Sequence, residues 1–278
     1  MDLQKVHSVV NRFQKGIFRN SSFFDSGFFA SSFKGAGLQF KEHQVYNYGD
    51  EVRFIDWKLL ARKNTPYIKT FEEERNVEVK IIVDCHPNFI LSHDGKSKFI
   101  TMIEMCAILI LFAGKTKDKV SFYLVGNKII RINNLSGEDG LIKLIARLGS
   151  IGLLNDDGKP IMSSIFDFCN NKFDQKVFKK IGDFKKGPFV IFSPFNDGQY
   201  GFFEKLFMNK NTHMFKLNCP FENEVKSYRF LTGGLKYITK LLDKEDINSP
   251  ATKIINIKLE STPLIDFVEG IRSNESRI

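Results

Sequence analysis

Cysteine is scarce and never closely spaced: Cys85, Cys106, Cys169 and Cys219 are the only four in 278 residues. The absence of any CxxC spacing excludes a local redox motif or zinc knuckle. Cys85, Cys106 and Cys219 sit in or beside apolar runs and read as small buried hydrophobes, a usage that fits a reducing compartment. The chain also lacks GxxxxGK[ST], GxGxxG, HExxH and GxSxG, so it carries no sequence signature of a phosphate loop, a dinucleotide fold, a zinc protease or a hydrolase elbow. No apolar stretch reaches the roughly 20 residues that a bilayer-crossing helix needs. The most apolar one, residues 102–113, contains Glu104 and reads as a buried helix. The opening run MDLQKVHSVVNRFQKG is amphipathic and has no signal-peptide core. These absences predict a cytoplasmic protein with no membrane span.

Charge is plentiful. The formal net charge is +9 and 26% of residues are charged, which could favour nucleic acid, anionic lipid or an acidic partner. The basic residues are scattered, however, and acidic ones interrupt most of their runs, as in KTKDKV and KLLDKED. Scattered charge of this kind makes a solvated surface rather than a nucleic-acid stripe. The 42% hydrophobic content can bury a sizeable core. The 29 Phe read as a compositional bias that fills core positions.

Apolar spacing at Val6, Val9, Val10, Phe13 and Ile17 predicts a helix over residues 1–19. Residues 20–40, rich in Ser, Gly and Phe, read as a loop folded back on the domain. Strands are predicted at 67–73, 77–84, 119–125, 128–132, 189–193 and 214–218, with helices at 97–115, 138–148 and 201–208. Residues 161–180 read as helical or loop-rich, residues 221–260 as a strand and helix tail, and residues 268–278 as a frayed polar end. Apolar strands alternating with helices predict an α/β fold with a mostly parallel sheet flanked by helices. Ligands bind such sheets at the carboxyl ends of the strands, which puts Asp84 at a functional address.

The most distinctive run is residues 46–71, YNYGDEVRFIDWKLLARKNTPYIKTF. Gly49 permits a tight turn before Asp50. Asp50 is expected to cap a helical turn through residues 52–60. Arg53 and Asp56 share a face and are expected to pair. Trp57 is expected to be buried, in which case Trp57→Ala would cost about 3–5 kcal/mol. Arg62 is expected to bridge to Asp56, Asp50 or a partner's carboxylate. The motif either pins the N-terminal segment to the sheet or contacts a partner.

Through Tyr46 (or Tyr48), Gly49, Asp50, Arg53, Ile55, Asp56, Trp57, Ala61 and Arg62, this run resembles the bacterial family called domain of unknown function 58. The resemblance covers about residues 35 to 218. It implies a von Willebrand factor A-like, Rossmann-like domain over residues 76–260, preceded by a family-specific segment over 1–75 and followed by a tail over 261–278. Similar proteins are typically encoded beside MoxR-type AAA+ ATPases and other von Willebrand A proteins. The resemblance therefore implies a non-enzymatic adaptor for such an ATPase.

Domains of this type typically hold Mg²⁺ at the end of the first central strand, on the Asp and two Ser of DxSxS with a Thr and an Asp from later loops. Here the run is Asp84-Cys85-His86-Pro87-Asn88, and the later Ser193 is followed by Pro194. Mg²⁺ demands oxygen donors and imidazole suits softer metals, so the site reads as degenerate, with Asp197 as a substitute carboxylate and no cofactor expected. Two alternatives stand beside the adaptor reading: a basic nucleic-acid binder, and a domain in which Asp84 still binds a divalent cation. A softer metal on Asp84, His86 and His93 is a further variant. Glu72, Glu73 and Glu74 read as a solvated strand end, and Lys179, Lys180, Lys185 and Lys186 as a surface loop.

Overall fold

The computed structural model describes residues 3–18, 38–73, 77–169, 188–195, 212–220 and 254–273. Most of the Phe-rich run, the helix predicted at 201–208, the lysines at 179–186, Glu74, Asp197 and residues 221–253 lie outside these.

The two-residue strands β4 (Ser92–His93) and β5 (Lys96–Ser97) pair with each other, and six other strands form one sheet. They are β3 (Glu78–Asp84), β6 (Lys119–Val125), β7 (Ile129–Leu135), β8 (Phe189–Phe192), β9 (Thr212–Asn218) and β10 (Ile254–Lys258). Their order is β10-β9-β8-β3-β6-β7. All neighbours are parallel except β6 and β7, which a short turn joins. From β3 the chain runs to one side through β6 and β7, then to the other through β8, β9 and β10. The reversal falls between β3 and β8. This is the doubly wound order with one antiparallel edge, the von Willebrand A-like arrangement.

The pleat sorts side chains into two clusters, because successive residues of a strand face opposite ways. Val79, Ile81 and Val83 of β3 join Val120, Phe122 and Leu124 of β6 in the larger one. Ile82 and Tyr123 face the other way, into a cluster with Phe189, Ile191 and Met214. The larger cluster is covered by α1 (Leu3–Phe18), α3 (Lys98–Thr116), α4 (Gly137–Ser150), α5 (Met162–Cys169) and α6 (Pro263–Ser273).

Helix α3 begins at Ser97, whose hydroxyl accepts the Ile100 N–H at 3.3 Å. It ends at Lys117 in the left-handed conformation (φ 62°). Long and apolar enough by composition to cross a membrane, α3 instead packs against the sheet, α1, α4 and α6. Gly114 is essential to that packing. A Cβ there would lie 2.4 Å from the Gly137 Cα, so α3 meets the start of α4 backbone to backbone. Helix α1 buries all five residues of its predicted apolar stripe and packs on α4 and α3. It therefore belongs to the core of the main domain, although the sequence groups it with the N-terminal segment.

Two readings need correction. Residues 38–40 are not loop: they open β1 (Leu38–Val45), which pairs antiparallel with β2 (Tyr67–Glu73). Nor does the chain fray from residue 268, since that residue lies inside α6. Phe267, Val268 and Ile271 are fully buried, and Phe267 packs on Phe192 and Phe215 with ring centroids 5.8 and 4.7 Å apart. The polar letters around these three residues hid a helical stripe of period near 3.6.

Candidate functional site

Two regions hold the residues singled out from the sequence. The first is an arm made of β1, a 3₁₀ turn over Val52–Phe54, α2 (Trp57–Lys63) and β2. From residue 40 to residue 70 no side chain is fully buried. Five of the six large hydrophobics that stand exposed among the described residues lie here: Phe40, Val45, Tyr48, Val52 and Trp57.

The motif's geometry differs from the sequence expectation in four ways. Trp57 is not buried, with 61% of its surface exposed. Asp50 does not cap the helix. Its carboxylate accepts the Asn47 N–H at 2.8 Å, closing the turn in which Gly49 takes φ 110°. Asp56 is the cap, and its Oδ1 accepts the N–H groups of Lys58 and Leu59, both at 3.0 Å. Arg53 pairs with Glu51, not Asp56, and lies over the Phe54 ring. Arg62 is exposed and bridges to neither Asp50 nor Asp56, whose partners are otherwise accounted for.

Asp56 is the organising residue of the arm. Its Oδ2 also meets His43 Nε2 of β1 at 3.0 Å and Lys69 Nζ of β2 at 3.3 Å. One carboxylate thus starts α2 and ties it to both strands. The N–H of Leu59, then His43 and Lys69, hold the carboxyl below the ordinary carboxylate range. Sequence reading missed His43 and Lys69, because strand register alone places them opposite each other. Tyr46 is anchored by its own N–H to the Pro66 carbonyl at 2.9 Å.

Helix α2 is two-sided. Leu59 and Leu60 are half-buried, while Trp57, Lys58, Ala61 and Arg62 are exposed. At 100° per residue the last four fall on one side. The outward side is therefore an indole flanked by cations.

The second region is the strand reversal. Asp84 ends β3 and is buried. Ser193, just beyond β8, donates its hydroxyl to Asp84 Oδ2 at 2.7 Å. The Ser193 hydroxyl oxygen in turn accepts the Phe195 N–H at 3.2 Å. The Asp84–Ser193 bond spans the two strands at the point where such sheets bind ligands. His86 turns back on its own loop, with Nδ1 accepting the Asn88 N–H at 3.3 Å, and so caps the turn Pro87–Ile90. Asn88 is buried beside it. His93 pairs with Asp94 at 3.5 Å. The structure thus brings Asp84 and Ser193 together and commits His86 to its own loop.

This donor set does not fit Mg²⁺. An imidazole stands where an oxygen is needed, and its Nδ1 accepts the Asn88 N–H.

The cysteines also correct the sequence reading. Cys85 and Cys169 are bonded to each other as a disulfide, 84 residues apart in sequence, with Cα atoms 5.0 Å apart. Cys106 and Cys219 are buried and in no disulfide, and burial pushes the Cys106 thiol up.

The parallel sheet, its antiparallel edge and its covering helices define a von Willebrand factor A-like α/β domain, here preceded by an exposed hairpin arm. The model of the family described as protein of unknown function DUF58 matches residues 42–164, from the arm to the start of α5. Among solved structures, the crystal structure of the SpRpn10 VWA domain is similar at 12% identity and a TM-score of 0.32, covering 70% of this chain and 94% of that one. No curated protein matches the sequence.

Proposed function

We propose that this chain is a non-enzymatic protein-interaction module, that the arm is its contact surface, and that its partner is a MoxR-type AAA+ ATPase acting with it in the cytoplasm. The observation that carries the reading is the exposure of the motif. Residues kept only to hold a fold together are normally buried, whereas Tyr48 and Trp57 stand in solvent with Arg53, Lys58 and Arg62 around them. Trp, Tyr and Arg dominate interface energetics, because each buries a large area and offers a polar end. The cations around Trp57 suit a partner patch with an apolar pocket and a carboxylate rim. The family resemblance supplies the ATPase as the partner to test.

The reading includes a strand-end site that has lost its Mg²⁺. The engagement of Asp84 with Ser193 and of His86 with Asn88 supports this. The same two contacts support a non-enzymatic role, because the Ser193 hydroxyl donates to Asp84 and His86 Nδ1 accepts the Asn88 N–H.

The test is association of the full chain with its ATPase partner at micromolar concentration, with and without nucleotide, read by co-elution and ATP turnover. Trp57→Ala and Arg62→Ala should each weaken binding tenfold or more while shifting stability by less than about 0.5 kcal/mol, the usual range for exposed sites. Asp84→Ala should leave affinity nearly unchanged. No association of the wild type, or full binding by Trp57→Ala, would sink the reading. Binding to nucleic acid that weakens steeply as salt rises would favour the basic-protein alternative.

A further inference from the structure

We propose that Cys85 and Cys169 form a reversible thiol–disulfide site that locks the end of the central strand to helix α5. The 5.0 Å between their Cα atoms lies within the range that a disulfide spans. The fold alone creates this proximity, because 84 residues separate the two in sequence.

The position gives the bond a consequence. Cys85 directly follows Asp84, so it begins the loop that carries His86 and Asn88. Cys169 is the last residue of α5. Oxidation therefore couples the loop at the strand reversal to a helix on the neighbouring face.

Reduction need not undo the fold, because other contacts hold the same elements together. The Asn127 N–H bonds the Phe168 carbonyl at 2.8 Å, and the Cys85 N–H bonds the Val125 carbonyl at 2.8 Å. The β6–β7 turn lies so close to α5 that a Cβ on Gly126 would fall 2.4 Å from both the Phe168 ring and its carbonyl oxygen. Ile165 and Phe168 are buried as well. The bond is thus a lock on a joint that is already closed.

The chemistry is exchange with a low-molecular-weight disulfide such as oxidised glutathione. Cys85 is 7% exposed against 1% for Cys169, so it is the entry point. Its thiolate attacks the small disulfide, forms a mixed disulfide and releases one small thiolate. The Cys169 thiolate then attacks the Cys85 sulfur and releases the second. Two protein thiols lose two electrons and two protons, and the small disulfide becomes two thiols. Cys106 and Cys219 take no part, since neither has a cysteine partner.

The experiment incubates the purified full chain with oxidised glutathione or with dithiothreitol, quenches in acid, alkylates under denaturing conditions and maps peptides by mass. The expected result is four alkylated cysteines after reduction and two, Cys106 and Cys219, after oxidation. The Cys85 and Cys169 peptides should be joined in the oxidised sample, and a second reduction should restore all four thiols. Near-UV circular dichroism should show a folded chain in both states. Cys85→Ser and Cys169→Ser should each abolish the joined peptide and remain folded. Four reactive thiols after oxidation, a bridge to Cys106 or Cys219, or loss of tertiary structure on reduction would each overturn the proposal.

Discussion

Phe267→Ala tests whether the C-terminal helix closes the sheet. Phe267 is fully buried and packs on Phe192 of β8 and Phe215 of β9, with ring planes inclined at 30° and 57°. Truncation removes the ring's transfer energy and leaves a cavity that two rigid rings cannot fill. Such changes cost about 3–5 kcal/mol, of which each aromatic pair contributes about 0.5–1.5 kcal/mol beyond buried area. For a chain of this size the melting temperature should fall by about 6–20 °C, at roughly 2–4 °C per kcal/mol. Urea unfolding followed by circular dichroism gives the free energy directly, and an unchanged slope would show that the unfolded state is unaltered. Phe267→Leu, which keeps most of the volume, should cost less than half as much. A loss below about 1 kcal/mol for Phe267→Ala would refute the reasoning, because α6 would then be an appendage and not a wall of the core.

Four further outcomes are expected. Gly114→Ala should destabilise by about 1–3 kcal/mol in thermal unfolding, since the new methyl meets the backbone of Gly137. Burial lowers the His213 pKa to about 4, below the unfolded value near 6.5. The unfolded chain therefore binds the extra proton first, and stability should fall as pH drops from about 6.5 to 4, by up to roughly 3 kcal/mol. Denaturant titrations of His213→Leu should show a smaller loss across that window. Reducing the Cys85–Cys169 bond should lower stability by up to about 4.5 kcal/mol, the chain-entropy value for a closed loop of that length. Paired melts with and without dithiothreitol read it. Trp57→Ala should leave the melting temperature within about 2 °C of wild type, because the indole is largely in solvent.

Much of the fold was legible in the sequence because burial leaves a periodic trace. Val6, Val9, Val10, Phe13 and Ile17 announce α1, and VEVKIIVD announces a strand that enters the middle of a sheet. The family motif was equally legible as a string of letters. Its internal contacts were not. Arg53 has acidic residues on both sides at helical or near-helical spacing, and only the break between the 3₁₀ turn and α2 directs it to Glu51 and leaves Asp56 free to cap. An indole is usually buried, and nothing in the letters around Trp57 says that α2 turns it outward.

Sequence alone determined the alternation of strands and helices, the Asp at the end of the first central strand and the His and Asn that follow it. These depend on side-chain type and on spacing along one segment, which the chain states outright. Tertiary structure alone decided that Asp84 meets Ser193, that Cys85 meets Cys169, that His43 and Lys69 converge on Asp56, and that the motif stands in water. Each of these joins residues from separate segments. Such pairings depend on sheet order, strand register and helix rotation, which arise from the packing of the whole core.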